Sequence, residues 1–386
     1  MQGRRPRILY FLVQYPTFSE TYMHEELRAV REFCDVSVIT YSVARDPRRA
    51  PYPYDVIKLK GECLQFGDFT RIDPEFNAPE QQEFLRGVCA ALEAFKPDLV
   101  HAHWFGVALL LRKLAERYRI PFTMRTHSQD TLNEPPAKIA ALVSAVNSPW
   151  CRGLVVFPAF KPLMIAAGVR ADKVTTCWPT INYARFHRPE KRAPTRRVMC
   201  SGPAILKKAH NEFVDLAAMM RGSGLGPNFT FHLYARGPSL GITRKHNERA
   251  GNPVEIRYVD PDEMPKIWPN YDWLVYPGDL QINKVGLPVS IAEAQAAGVG
   301  VCWQEMPNRR EEQLEFLGGA GFIFRSIAEV PALLAQPYPE EMRLRGIENA
   351  RKCDLARTWE VLARVWGEAL EKGSEQLSRG SAQRVL

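Results

Sequence analysis

At 386 residues the chain is too long for one compact core and comfortable for two domains. A hydrophobic fraction of 46% with 24% charged residues excludes a disordered chain, and no apolar run approaches the roughly 20 residues of a membrane span. The formal charge of +8 suits anionic lipid or phosphorylated ligands, while no nucleic-acid motif accompanies it.

The N-terminus, "MQGRRPRILYFLVQYP", is basic and then apolar. Its apolar run covers only Ile8 to Val13 and no small-residue cleavage site follows, so it reads as a first buried strand. Further strands are expected at "DVSVITYS", "DLVHAHW", "PFTMRTH", "GLVVFPA" and "KVTTCWP". Helical patterns lie between them, at "SETYMHEELRAVREF", "QQEFLRGVCAALEAF" and "GVALLLRKLAERYR". Near-continuous apolar strands alternating with helices predict a doubly wound parallel sheet. The charged stretch "RFHRPEKRAPTRR", Arg185 to Arg197, has no period and reads as a linker. A second alternation follows: "RVMCSG", a helix from Asn211, "FTFHLYA", "VEIRYVD", "DWLVYP", a helix around Glu293, "GVGVCW" and "GFIF". The helical spacing of Trp359, Leu362 and Trp366 marks a late packing helix, and a polar tail follows Gly373.

Eight cysteines are scattered without a Cys-x-x-Cys pair. That argues against a zinc or disulfide framework and for a reducing, cytoplasmic setting. Basic clusters at Arg4, Arg5 and Arg7, at Arg45, Arg48 and Arg49, and at Lys191, Arg192, Arg196 and Arg197 each read as solvated surface. Together they permit peripheral contact with an anionic membrane.

In an open α/β sheet the ligand lies at the carboxyl ends of the strands. Two stretches there are built for it. In "VGLPVSIAEAQAAG", Gly286-Leu287-Pro288 predicts a tight, exposed turn feeding an Ala-rich helix that Gly298 stops. Backbone N–H groups at such a helix start favour an anion. Ser290 either caps that helix or touches phosphate, capping being the simpler role. Glu293, within the helix, suits a partner with donors, such as sugar hydroxyls. In "SGPAILKKAH", the lysines read as solvated residues of a strand-to-helix loop, or Lys208 as a fixed cation for an anion.

The ordered set "QYPTFSETYMHEEL", "HAHWFG", "THSQD", "GPAILKKAH", "YARGP" and "VGLPVSIAEAQAAG" resembles glycosyltransferase family 4, from about Arg7 to about Leu370. The resemblance implies the GT-B fold: two Rossmann-like doubly wound domains facing across a cleft. It implies an N-terminal acceptor-side domain at 1–187 and a nucleotide-sugar-binding domain at 188–345. Terminal helices at 346–386 would pack back toward the first, with a polar tail.

On the donor side the family pairs two glutamates eight apart. The second, which binds ribose, falls on Glu293; the first, which contacts the sugar, falls on Val285. Gly286, Leu287 and Pro288 match the backbone that approaches the diphosphate, with Ser290 following. Of the family's diphosphate-binding Arg and Lys, the Lys is Lys208 and the Arg position holds Pro203. Gly202 lies beside it, and Lys207 or Arg236 is placed to substitute. His127 matches a histidine near the transfer centre, and with Lys208 it forms the expected catalytic set. Thr17, Phe18, Ser19, His103 and Trp104 fall where the family meets its acceptor.

His101 and His103 alternate onto one side of a strand. A metal pair there lacks a nearby acid or third histidine in the sequence, so no metal is expected. Nor is a cofactor beyond the nucleotide-sugar substrate. In retaining transfer the leaving phosphate oxygen itself can take the acceptor's proton, so no carboxylate pair is required.

The resemblance thus implies a retaining transferase of hexosyl or deoxyhexosyl units. The donor would be a nucleotide-sugar. The acceptor would be a saccharide or lipid-linked saccharide, in polysaccharide or glycoconjugate biosynthesis. Val285 and Pro203 leave an alternative, a non-catalytic relative that binds a saccharide or partner enzyme. A sugar-nucleotide epimerase would need two cleft carboxylates that the sequence does not offer. Donor base, sugar, acceptor, linkage and oligomeric state stay open.

Overall fold

The computed structural model describes residues 4–15, 20–42, 55–58, 79–126, 135–191, 193–223, 228–280 and 286–382. The chain divides into two compact units, Met1–Trp178 with Leu355–Leu386, and Pro179–Asp354.

The first unit runs β1 (Arg7–Gln14), α1 (Thr21–Val30), β2 (Asp35–Ser42), β3 (Asp55–Lys58), α2 (Pro79–Phe95), β4 (Leu99–His103), α3 (Ala108–Tyr118), β5 (Phe122–Arg125), α4 (Pro136–Asn147), β6 (Cys151–Val156), α5 (Phe160–Ala166) and β7 (Val174–Thr176). Among the described residues its sheet has seven strands in the order β3-β2-β1-β4-β5-β6-β7, and its strand pairs are parallel. Every residue from Ile8 to Val13 is buried, as expected of a strand covered on both faces. Helix α2 buries Phe84, Val88, Ala91 and Leu92, one stripe at helical spacing.

The second unit runs α6 (Tyr183–Phe186), β8 (Arg197–Ser201), α7 (His210–Gly222), β9 (Thr230–Tyr234), α8 (Leu240–Arg249), β10 (Val254–Arg257), α9 (Met264–Ile267), β11 (Trp273–Tyr276), α10 (Val289–Ala296), β12 (Gly300–Gln304), α11 (Arg310–Leu317), β13 (Phe322–Phe324), α12 (Val330–Leu334) and α13 (Glu340–Ala350). Its described sheet, also parallel, has the order β10-β9-β8-β11-β12-β13. Both sheets therefore reverse direction next to their first strand, between β1 and β4 and between β8 and β11. Those are the topological switch points, where a Rossmann-like sheet opens a crevice.

The expected strands all form, and β3, a four-residue edge strand, adds to them. Both expected boundaries move. Residues 179–187 belong to the second unit, where Phe186 is buried and Arg188 N–H donates to Ala296 O at 3.1 Å. The stretch read as a linker is likewise held there. Arg185 pairs with Asp262 at 3.0 Å, and Arg343 donates to Pro189 O at 2.8 Å. Helix α13 also stays with the second unit, through Asn349 to Gln295 at 2.9 Å. Only α14 (Leu355–Ala382) returns to the first, burying Leu362, Val365, Trp366 and Ala369 against Ile8, Tyr10 and Leu12. Charge and proline imitate a linker in sequence, but here the arginines are used on backbone carbonyls and carboxylates.

Candidate active site

In the second unit, two loops leave the carboxyl ends of β8 and β9 and are laced together. Gly202 N–H donates to Tyr234 O at 3.2 Å, Ala204 N–H to Arg236 O at 2.9 Å, and Ser239 N–H to Ala204 O at 2.9 Å. The lacing needs Gly237, whose φ is +152° and where a Cβ would meet Ala204 O at 2.6 Å. Pro203 stands inside the first loop, and its carbonyl accepts from Ile205 N–H at 2.9 Å.

A short turn, Leu206–Lys208, ends at Ala209 in the left-handed region, and α7 begins. The turn delivers Lys208 to the β8/β11 switch point. Its amine donates to the phenol oxygen of Tyr276, the last residue of β11, and lies 4.6 Å from that ring's centroid. Burial, with Lys207 beside it, pushes the Lys208 amine down to about 7. The same loop joins the end of β11 through Asp279 N–H to Lys207 O at 3.1 Å.

Helix α10 rises next to this point. Its N-cap is Pro288, and no side chain caps it. Ser290 is therefore not the cap; it lies in the first turn and is buried. The turn before it is not exposed either. Leu287 and Pro288 are buried and Gly286 is half-buried. The helix ends as expected at Gly298, φ +68°. Gly298 N–H donates to Gln295 O and Val299 N–H to Ala294 O, each at 2.9 Å, which closes a Schellman motif. Val289 and Glu293, one turn apart, are the half-buried positions of an otherwise buried helix. Arg236 is exposed at the end of β9, with its guanidinium 5.2 Å from the Tyr258 ring centroid. Val285 and the adjacent Asn283 and Lys284 lie outside the described residues.

In the first unit, the β1/β4 switch point is filled by a buried polar cluster. One oxygen of Glu26, from α1, accepts from Tyr10 at 3.1 Å and lies 3.1 Å from Nε2 of His103 and 3.6 Å from Nε2 of His101. The other oxygen accepts from Arg125, the last residue of β5, which also donates to Trp178 O at 2.7 Å. His101 Nδ1 meets Thr123 at 2.8 Å, while its Nε2 is buried without a hydrogen-bond partner. Glu26, His101 and His103 have no exposed surface. The histidines and Arg125 hold the Glu26 carboxyl well below its usual range, against the effect of burial. Burial pushes His101 down to about 4.

This cluster corrects two expectations. The acid that the histidine pair lacked in sequence is Glu26, and the three groups have the spacing of metal ligands, although Arg125 already neutralises the carboxylate. His103, expected at the acceptor, has no surface to offer; its ring is turned onto Glu26. Sequence did carry the signal: Glu26 shares the helical stripe of Met23, Leu27 and Val30, and Arg125 ends an otherwise uncharged strand. Trp104, just after β4, is half-buried with φ 78°, a backbone state rare for a bulky residue. His127, Thr17, Phe18 and Ser19 lie outside the described residues.

Comparison with known proteins gives the class. Residues 19–182 match the family model of a glycosyl transferase 4-like domain. No curated protein sequence matches. Among solved structures, the chain is similar to HepE from Anabaena in complex with UDP: TM-score 0.69, 13% identity, covering 94% of this chain and 99% of that one. Sucrose-phosphate synthase from Thermosynechococcus elongatus gives a TM-score of 0.67 at 14% identity, over 98% and 100% of the two chains. A glycosyltransferase from Rickettsia africae gives 0.64 at 12% identity, over 94% and 99%. The fold is GT-B. Residues 19–182 carry a glycosyl transferase 4-like domain, and the similar solved structures are glycosyltransferases of this fold.

Proposed function

We propose that the protein is a retaining glycosyltransferase that moves a hexosyl or deoxyhexosyl unit from a nucleotide-sugar to a saccharide or lipid-linked saccharide acceptor. The observation that carries the donor half is Lys208, a half-buried cation delivered to the β8/β11 switch point. Loss of a nucleoside diphosphate builds negative charge, and a fixed cation in a poorly solvated site stabilises it far better than one in water. The first turn of α10 adds backbone N–H groups to the same anion. Glu293 takes the ribose hydroxyls. Gly202, Gly286, Leu287, Pro288 and Ser290 line the phosphates, with Arg236 at the rim in place of the arginine that Pro203 replaces. A nucleoside diphosphate neutralised by these groups requires no metal.

The acceptor is assigned to the first unit. The strained backbone at Trp104 supports a stacking role for that ring. Thr17, Phe18 and Ser19 complete the acceptor side, and His127 orients the reacting sugar. His103 is assigned instead to the buried cluster that supports the strand end. Among the described residues no helix is long and apolar enough to cross a membrane. The basic charge supports peripheral work on an anionic surface in the cytoplasm. Polysaccharide or glycoconjugate assembly is the setting this chemistry fits.

HepE was crystallised with UDP and with UDP-glucose, which makes uridine the first base to try. The test is thermal shift against UDP, GDP, dTDP and CDP. A ligand at a hundredfold excess over its Kd adds about 2.7 kcal/mol to the folded state. One nucleotide should raise the melting temperature; no response to any of them sinks the donor reading. The anomeric configuration of the product, read by NMR, tests retention.

A further inference from the structure

Lys208 reaches the switch point on a long, rotatable side chain, and the donor reading requires it to arrive extended and charged. Its surroundings oppose the charge. Four titratable groups face the amine: Lys207 from its own turn, Cys200 from β8, His210 from the start of α7, and Tyr276 from β11. None of these four is a carboxylate. Lys207 repels the ammonium, and neutral Cys200 and His210 do little to hold it. Tyr276 alone among the four offers both an acceptor oxygen and a π face to a cation.

We propose that Tyr276 is the positioning residue for Lys208, holding its amine extended and protonated where the diphosphate is to be neutralised. The inference rests on the donor reading of Lys208. Tyr276 acts through the lysine rather than on the sugar. The geometry is specific: the last residue of β11 meets the loop that leaves β8, across the switch point itself. Burial and Lys207 bring the amine down to about 7, so both of its forms are populated near neutral pH. A diphosphate selects the charged form, so its binding draws in a proton and weakens as pH rises above 7.

The test is calorimetric binding to the full chain between pH 6.5 and 8.5. The probes are the nucleoside diphosphate that stabilises the protein best and its monophosphate. Lys208→Ala should weaken the diphosphate about 30-fold, the effect of truncating one partner of a close charge pair, and leave the monophosphate within about twofold. Tyr276→Leu should weaken the diphosphate about tenfold and move the pH of half-maximal affinity downward. Tyr276→Phe, which keeps the π face, should fall between it and wild type. The double variant Lys208→Ala/Tyr276→Leu should bind no worse than Lys208→Ala alone. Additive losses in the double variant, or an unmoved pH profile in Tyr276→Phe, would overturn the assignment of Tyr276. A Lys208→Ala protein that loses both nucleotides equally, or not at all, would instead overturn the donor reading. If Tyr276→Leu fails to melt cooperatively, the pH profile of Tyr276→Phe decides.

Discussion

Glu293 and Val289 are the positions of α10 that the core leaves partly open, while Ile291, Ala292 and Ala294 are buried beneath them. Glu293 sits at one of these open positions, so its removal tests whether it serves binding or stability. Glu293→Ala is expected to keep the melting temperature of the unliganded protein within a few degrees. On the proposed ribose-binding role, it should abolish most of the shift that the best nucleotide gives, the ribose hydroxyls losing their acceptor. A large drop in the unliganded melting temperature would mark Glu293 as a structural residue. Pro203 poses the opposite case, a position where sequence shows loss of a polar group. The structure gives that position a backbone task, since the Pro203 carbonyl closes the turn that leads to Lys208. Glu293 was singled out by the register of the family resemblance, in which Val285 holds the first position. Tyr276 was not, because nothing in "DWLVYP" distinguishes a tyrosine that packs from one that holds a lysine.

Among elements, α1, β4 and β5 meet in a buried charged cluster. Glu26 and Arg125 form an ion pair with almost no exposed surface on either side. Breaking such a pair from one side leaves a buried charge and costs about 3–5 kcal/mol. Arg125→Met should therefore destabilise the first unit by that order in urea. Adding Glu26→Gln to it should recover part of the loss; a double variant as unstable as the sum of the singles would argue against the pairing. The same cluster sets an acid limit. His101 is held near 4 in the folded chain and titrates near 6.5 when unfolded. The unfolded state then binds more protons between those values, so stability falls as pH drops from about 6.5 to about 4. Glu26 acts lower, its contribution being complete above its unfolded value of about 4.3 and lost as pH falls through its depressed folded value. Urea midpoints at pH 7, 5.5 and 4.5 should decline in that order, with a shallower decline in His101→Phe. Equal slopes in the two proteins would remove His101 from the account.

For the whole molecule, the chain leaves its first unit after Trp178 and returns at Leu355. The returning helix α14 closes a core rather than decorating it. Trp366 is buried, T-stacked on Tyr10 and His101 with ring centroids 6.1 and 5.3 Å apart, and it donates to Thr123 at 3.2 Å. Trp366→Ala should cost about 3–5 kcal/mol. The loss should appear in the unfolding of the first unit, followed by hydrogen exchange in β4, β5 and β6, while exchange in the second unit stays unchanged. Slowly exchanging first-unit strands in that variant would show that α14 is dispensable to this core.

The sequence by itself determined the alternation of strands and helices, and hence two parallel α/β units. Burial on both faces forces apolar runs whose period is local and readable. It also determined the late packing helix, from the spacing of Trp359, Leu362 and Trp366, and the stop at Gly298. Only the tertiary structure decided which unit owns residues 179–187 and α13, since prolines and charges look alike in a linker and in a bonded loop. It alone decided that Glu26 meets histidines from β4 and that Lys208 meets a tyrosine 68 residues away. Such pairings depend on strand order and side-chain direction, which no local period encodes.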